Sequence, residues 1–140
     1  MPALLVVEEI IEVGKETVVE GPSPTPPLMA VFEDDGETGY FYALDNSRAD
    51  DPIMDALHIY DVESVSDKDV PSQVQIIWSP DHRKAALLIN DYPHAVFDFD
   101  ARRGYCRNGF PTDPVSDAGW SSSGHEWDDS ALEPFSDEGK

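Results

Sequence analysis

Arg102, Arg103, Cys106 and Arg107 fall within six residues, in and just before the stretch "GYCRNGFP" (104–111). A thiol set among fixed cations has a lowered pKa and gains nucleophilic character. Such a nucleophile needs a base, and His94 is the nearest histidine in the sequence. The same arginines suit a second chemistry, holding an anionic group through paired N–H donors. No catalytic signature surrounds Cys106, and the acidic field of the chain opposes a thiolate. A small, packed residue near a strand end is the plainer reading of this cysteine. The arginines then either serve a site or offset local acid, in a chain of formal net charge -20.

Other chemical groups are weaker candidates. Asp98 and Asp100 stand at i and i+2, about 7 Å apart on one face of a strand. That spacing allows paired acid–base work, but a polar strand exit explains it equally in a chain this rich in Asp. His58, His82, His94 and His125 show no H-x-x-x-H or H-E-x-x-H spacing. "DDGE" (34–37) carries carboxylates for calcium without the twelve-residue EF-hand pattern, so it reads as a solvated hairpin tip. No phosphate loop, dinucleotide glycine pattern or G-x-S-x-G occurs. The expectation is no metal and no cofactor.

Charge narrows the partners. Nine Lys and Arg face 29 Asp and Glu, so phosphate is repelled and nucleic acid is not expected as a partner. A basic protein partner is steered inward instead. Cys106 is alone and forms no intramolecular disulfide. The start, "MPALLVVEEI", lacks a basic n-region and reaches Glu8 after five apolar residues, too short for a signal peptide. No run of 18 apolar residues exists to span a membrane. The expected location is the cytoplasm; the oligomeric state cannot be read.

The elements that must position these groups read as strands. "LMAVFE" (28–33) and "YFYALD" (40–45) flank a Gly-containing loop, a hairpin signal. Asp51 and Pro52 fit the N-cap and first position of a helical turn. "LHIYDV" (57–62) reads as a strand. "QVQIIW" (73–78), "KAALLIN" (84–90) and "HAVFDF" (94–99) follow over short connections, "SPDHR" and "DYP", which force an antiparallel three-stranded meander over 73–99. Ala85, Leu87 and Ile89 alternate with Ala86 and Leu88, so both faces of the middle strand are apolar and both need covering. The second layer is either more sheet or a helix from the N-terminal segment; β-branched "TVVE" (17–20) favours sheet. The fold class is therefore mainly β and antiparallel, with α+β as the alternative.

Composition divides the chain into an N-terminal segment (1–20), a proline-rich linker (21–27), a β-rich body (28–111) and an acidic tail (112–140). The tail holds eight acids and one base, with Trp120, Trp127, Leu132 and Phe135 spaced among them. Three arrangements are open: docking in a basic, apolar groove of a partner, folding back onto the arginine loop, or remaining solvated.

The passages "VFEDDGETGYFYALD", "ALHIYDV" and "IIWSPDHRKAALLINDYPHAVFDFDARRGYCRNGFP" resemble a bacterial family of uncharacterised small proteins, domain of unknown function 2251, over about residues 28–111. The resemblance implies a bacterial source and a stand-alone soluble protein. It supplies no activity, cofactor or catalytic residue. The functional expectation is a non-catalytic interaction protein, of inhibitor or immunity type, that presents acid to a basic partner. The alternative is a small-ligand protein or enzyme that holds an anionic group with Arg102, Arg103 and Arg107.

Overall fold

Strict two-residue alternation governs most of the chain. In the computed structural model, residues 4–24, 28–47, 53–65, 71–100 and 102–106 are described. They form nine strands: β1 (Leu4–Ile11), β2 (Thr17–Pro22), β3 (Leu28–Asp34), β4 (Thr38–Asp45), β5 (Ile53–Asp61), β6 (Ser72–Trp78), β7 (Lys84–Ile89), β8 (Tyr92–Asp98) and β9 (Arg103–Cys106). A 3-10 turn, Val62–Ser64, follows β5 and is the only helix among the described residues.

All pairings are antiparallel. One sheet has five strands in the order β1-β6-β7-β8-β9, and the other has four in the order β2-β3-β4-β5. The protein is mainly β, and the second layer is sheet. The meander expected at 73–99 is β6, β7 and β8, and the hairpin expected at 28–45 is β3 and β4.

Between the layers, Phe41 stacks on Phe97 at 4.9 Å, and Trp78 stacks on Phe99 at 5.2 Å. Leu87, Ile76, Val74 and Phe32 share this core, fully buried. Burying a side chain of this size stabilises by about 1.5–3 kcal/mol. Ile89 is only half-buried at its margin. The Trp78 indole N–H donates to the Gly21 carbonyl at 3.0 Å, joining the two sheets. A Cβ at Gly21 would stand 2.7 Å from Ile76 Cγ2, so this close approach requires glycine. Gly21 and Pro22, the start of the proline-rich stretch, continue β2.

The turns depart from expectation in three places. Asn90 and Asp91, both with positive φ (53° and 66°), form a two-residue connection between β7 and β8. β8 therefore starts at Tyr92, ahead of the expected position 94, and includes Pro93. Proline is accommodated because β9 pairs only with Ala95 to Asp98, leaving a neighbour on one side. The helical turn expected at Asp51–Pro52 does not continue, because Ile53 opens β5 and pairs with β4; Asp51 and Pro52 themselves lie outside the described residues. Cross-strand pairing outweighs the local helix-start signal there. The third departure is the loop after β3, where Asp34 is fully buried and only Asp35, Gly36 and Glu37 separate the strands.

Candidate functional site

The arginine loop begins at the turn into β9. Arg102 is exposed with φ of 55°, and Arg103 enters β9 directly across from Asp98. The Arg103 guanidinium carbon lies 4.6 Å over the Tyr105 ring, a cation–π geometry. Its Nε is buried with no hydrogen-bond partner among the described residues. Cys106 is 4% exposed, and its thiol donates to the His58 carbonyl at 3.5 Å. Pairing with Ala95 turns that thiol into the core, on the side opposite Arg103 and Tyr105. His94 is half-buried, with its ring edge-on to Tyr92 at 5.2 Å. Arg107, Trp120 and Trp127 lie outside the described residues.

Asp98 and Asp100 have separate structural tasks. Asp98 Oδ1 accepts the Asp100 N–H at 3.0 Å, closing the strand exit. Asp100 takes Arg83, with Nη2 at 2.7 Å and Nε at 2.9 Å. Asp81 accepts the Ser79 hydroxyl and the Arg83 N–H, fixing the β6–β7 turn. Burial pushes the Asp81 carboxyl up, but these bonds and the Lys84 charge outweigh it and lower its pKa.

A second constellation lies on the four-stranded sheet. Asp34 accepts three hydrogen bonds: Gly14 N–H at 2.8 Å, Gly36 N–H at 2.8 Å and Tyr60 hydroxyl at 2.7 Å. It thereby ties the β1–β2 turn, the β3–β4 loop and β5 together. Burial, followed by the Asp34 hydrogen bond and charge, raises the Tyr60 hydroxyl pKa well above its ordinary value. The alternation through Ala30 and Phe32 already aims Asp34 inward, which is the sequence signal that the solvated-tip reading missed. Asp35 is the solvated carboxylate. It accepts the Glu37 and Thr38 N–H groups, which lower its pKa.

On the outer face of the same sheet, Tyr40 and Tyr42 stack at 5.8 Å, and His58 tilts against Tyr40 at 5.6 Å. His58 Nε2 stands 2.8 Å from Asp61 Oδ1. The Tyr42 hydroxyl donates to Glu33 at 3.1 Å. Burial first, then the Glu33 hydrogen bond and charge, raise its pKa well above the usual tyrosine value. Glu33 also lines a cleft of about 450 Å³ with Glu16, Thr17, Val18, Asp34 and Asp35. Cleft and tyrosines thus form one acidic, aromatic surface. Among the described residues, no group of three or more His, Cys, Asp or Glu is placed to hold a metal ion. Nor is any helix there long and apolar enough to cross a membrane.

These observations define an antiparallel two-sheet protein with an arginine-bearing edge on one sheet and an acidic tyrosine face on the other. The chain belongs to the family described as an uncharacterized protein conserved in bacteria (DUF2251), whose profile matches residues 11–136. The match runs further in both directions than the 28–111 expected from the sequence. An uncharacterized protein of Haemophilus influenzae is 52% identical over 84 residues, covering 60% of this chain and 52% of that protein. The matched stretch thus spans about half of that relative's length. No solved structure matches the chain.

Proposed function

We propose that the protein is a non-catalytic interaction protein of the bacterial cytoplasm that engages a basic partner through the outer face of its four-stranded sheet. The observation that supports this is the charge of that sheet. On that face strands β2 to β5 carry Glu20, Glu33 and Asp61, and these four strands have no Lys or Arg. Beside these acids, Tyr40 and Tyr42 offer ring faces to a cation. Tyrosines and flanking carboxylates suit a lysine- or arginine-bearing surface, consistent with an inhibitor or immunity-type role.

The test is to capture the partner from a host lysate and then measure its association rate with the purified chain. The rate should fall as salt rises, because exposed charges are screened beyond about 8 Å at physiological ionic strength. Glu33→Gln and Tyr42→Phe should weaken binding while Arg102→Ala leaves it unchanged. A salt-independent rate, or equal effects of all three changes, refutes the reading.

A second reading rests on the buried, unpartnered Nε of Arg103: an anionic small ligand held by Arg102, Arg103 and Arg107. Titration with inorganic phosphate, followed by amide shifts confined to β9, would support it. Turnover of a small molecule that is lost on changing Arg107 or His94 would make the protein an enzyme.

A further inference from the structure

β2 (Thr17–Pro22) is an outermost strand of the four-stranded sheet and pairs with β3 alone. Its ladder is regular: Ser23 N–H donates to the Leu28 carbonyl at 2.9 Å, and no register shift interrupts the pairing. In an antiparallel pair, residues that bond across alternate with residues that do not. Counting back from Ser23, residues Gly21, Val19 and Thr17 bond toward β3. Val18 and Glu20 therefore aim their N–H and C=O groups at the open edge. Pro22 fits this phase, because its missing N–H falls on the edge side. No described residue bonds to the outward groups of Val18 and Glu20. The same alternation puts both side chains on the outer face of the sheet, where Val18 is 57% exposed. Val18 stands directly across from Glu33. Both line the cleft of about 450 Å³, with Glu16 and Asp35 beside them.

We propose that an extended, lysine- or arginine-bearing segment of a partner protein adds to β2 as a fifth, antiparallel strand. This rests on the basic-partner reading above and names how the base is held. The free N–H and C=O groups of Val18 and Glu20 take the main chain of the segment. A residue of the added strand opposite Val18 stands about 5 Å from it and about 10 Å from β3. A long cationic side chain there lays its stem over Val18 and brings its charged head toward Glu33 and the acidic cleft. A lysine on an edge strand discourages such pairing, and β2 has none. Lys15, two residues before the strand, is paired with Glu12 at 2.9 Å. Charge also excludes a second copy of this chain as the occupant. Joining two β2 edges sets Glu16 and Glu20 of each copy near the same acids of the other, and like charges across a strand pair destabilise it.

The probe is a synthetic octapeptide of alternating lysine and valine, titrated into the isotope-labelled full chain. The amides of Val18 and Glu20 should shift and gain protection from hydrogen exchange. In an antiparallel pair the lysines that share the face of Val18 also carry the N–H groups that meet it. Methylating the lysine backbone nitrogens should therefore lower affinity at least about tenfold, and methylating the valine nitrogens should not. Val18→Pro should keep the fold, since the Val18 N–H is unused in the β2–β3 ladder, and abolish binding. If that variant does not fold, the two methylated peptides decide. Equal affinity of those peptides, or no binding of the unmodified one, overturns the inference. So does binding that shifts Glu33, Tyr40 and Tyr42 without protecting Val18 and Glu20; the basic-partner reading then survives and only strand addition fails. Protection of Val18 and Glu20 that rises with protein concentration in the absence of peptide also overturns it, because a second copy then fills the edge.

Discussion

Replacing Asp34 should damage this fold more than any other change to a single carboxylate among the described residues. Its side chain is fully buried and joins three separate pieces of chain, at Gly14, Gly36 and Tyr60. A hydrogen bond to a charged acceptor contributes about 1.5–3 kcal/mol. Three such bonds set an upper bound of about 4–9 kcal/mol. Gly14, Gly36 and Tyr60 are only partly buried, so water recovers part of that. The expected loss for Asp34→Ala is therefore about 3–5 kcal/mol. Relief of repulsion in so acidic a chain opposes this, but single exposed charge pairs contribute only about 0–1 kcal/mol. Asp34→Asn removes the charge at nearly constant shape and isolates that contribution. Tyr60→Phe alone should cost about 1–2 kcal/mol. Urea unfolding of the two single variants and the double variant gives the coupling, expected at about 1–2 kcal/mol. A loss below about 1 kcal/mol for Asp34→Ala, or additivity within about 0.5 kcal/mol, would refute the reasoning.

Three further outcomes follow from the geometry. Gly21→Ala should destabilise by about 1–3 kcal/mol in urea unfolding, because the new methyl meets Ile76 across the sheets; a neutral result would show that β2 can move away. The raised pKa values of Tyr42 and Tyr60 favour their neutral forms in the folded chain. Their contribution is complete below the ordinary tyrosine value of 10.0 and is lost as pH rises through the higher folded values. Unfolding midpoints should therefore hold to about pH 10 and fall above it, and Tyr60→Phe should flatten that fall. Cys106 should react slowly with a thiol reagent at neutral pH, because it is buried beneath β5 and bonded to the His58 carbonyl; rapid labelling of the folded protein would revive the nucleophile.

The fold was readable wherever alternation was undisturbed. Val74, Ile76 and Trp78 face inward, between half-exposed Gln73, Gln75 and Ile77, and this period-two pattern is what located the meander. Reading failed where two local signals competed. Asp51–Pro52 carries a helix-start signature, yet the β-branched and aromatic residues after it pair with β4, and pairing decided the outcome. The N-terminal stretch was harder still. The β1 ladder shifts register between Leu5 and Val7, and a bulge puts an apolar sequence out of phase with both periods.

The site was less legible, because its chemistry lies in how two sheets divide the charge, and no single segment shows that. Apart from Lys15, paired with Glu12 in the β1–β2 turn, the described cations cluster at one end of the five-stranded sheet: Arg83 and Lys84 beside Asp81 and Asp100, and Arg102 and Arg103 at the start of β9, Arg103 across from Asp98. The strands of the four-stranded sheet carry acids and tyrosines but no Lys or Arg. Only the strand order reveals this, because Lys84 and Arg103 lie 19 residues apart in sequence but face the same Asp98 from β7 and β9. Each face therefore suits a different occupant. The arginine edge suits an anionic group, and the tyrosine face suits base that the chain itself scarcely has, with nine Lys and Arg in 140 residues.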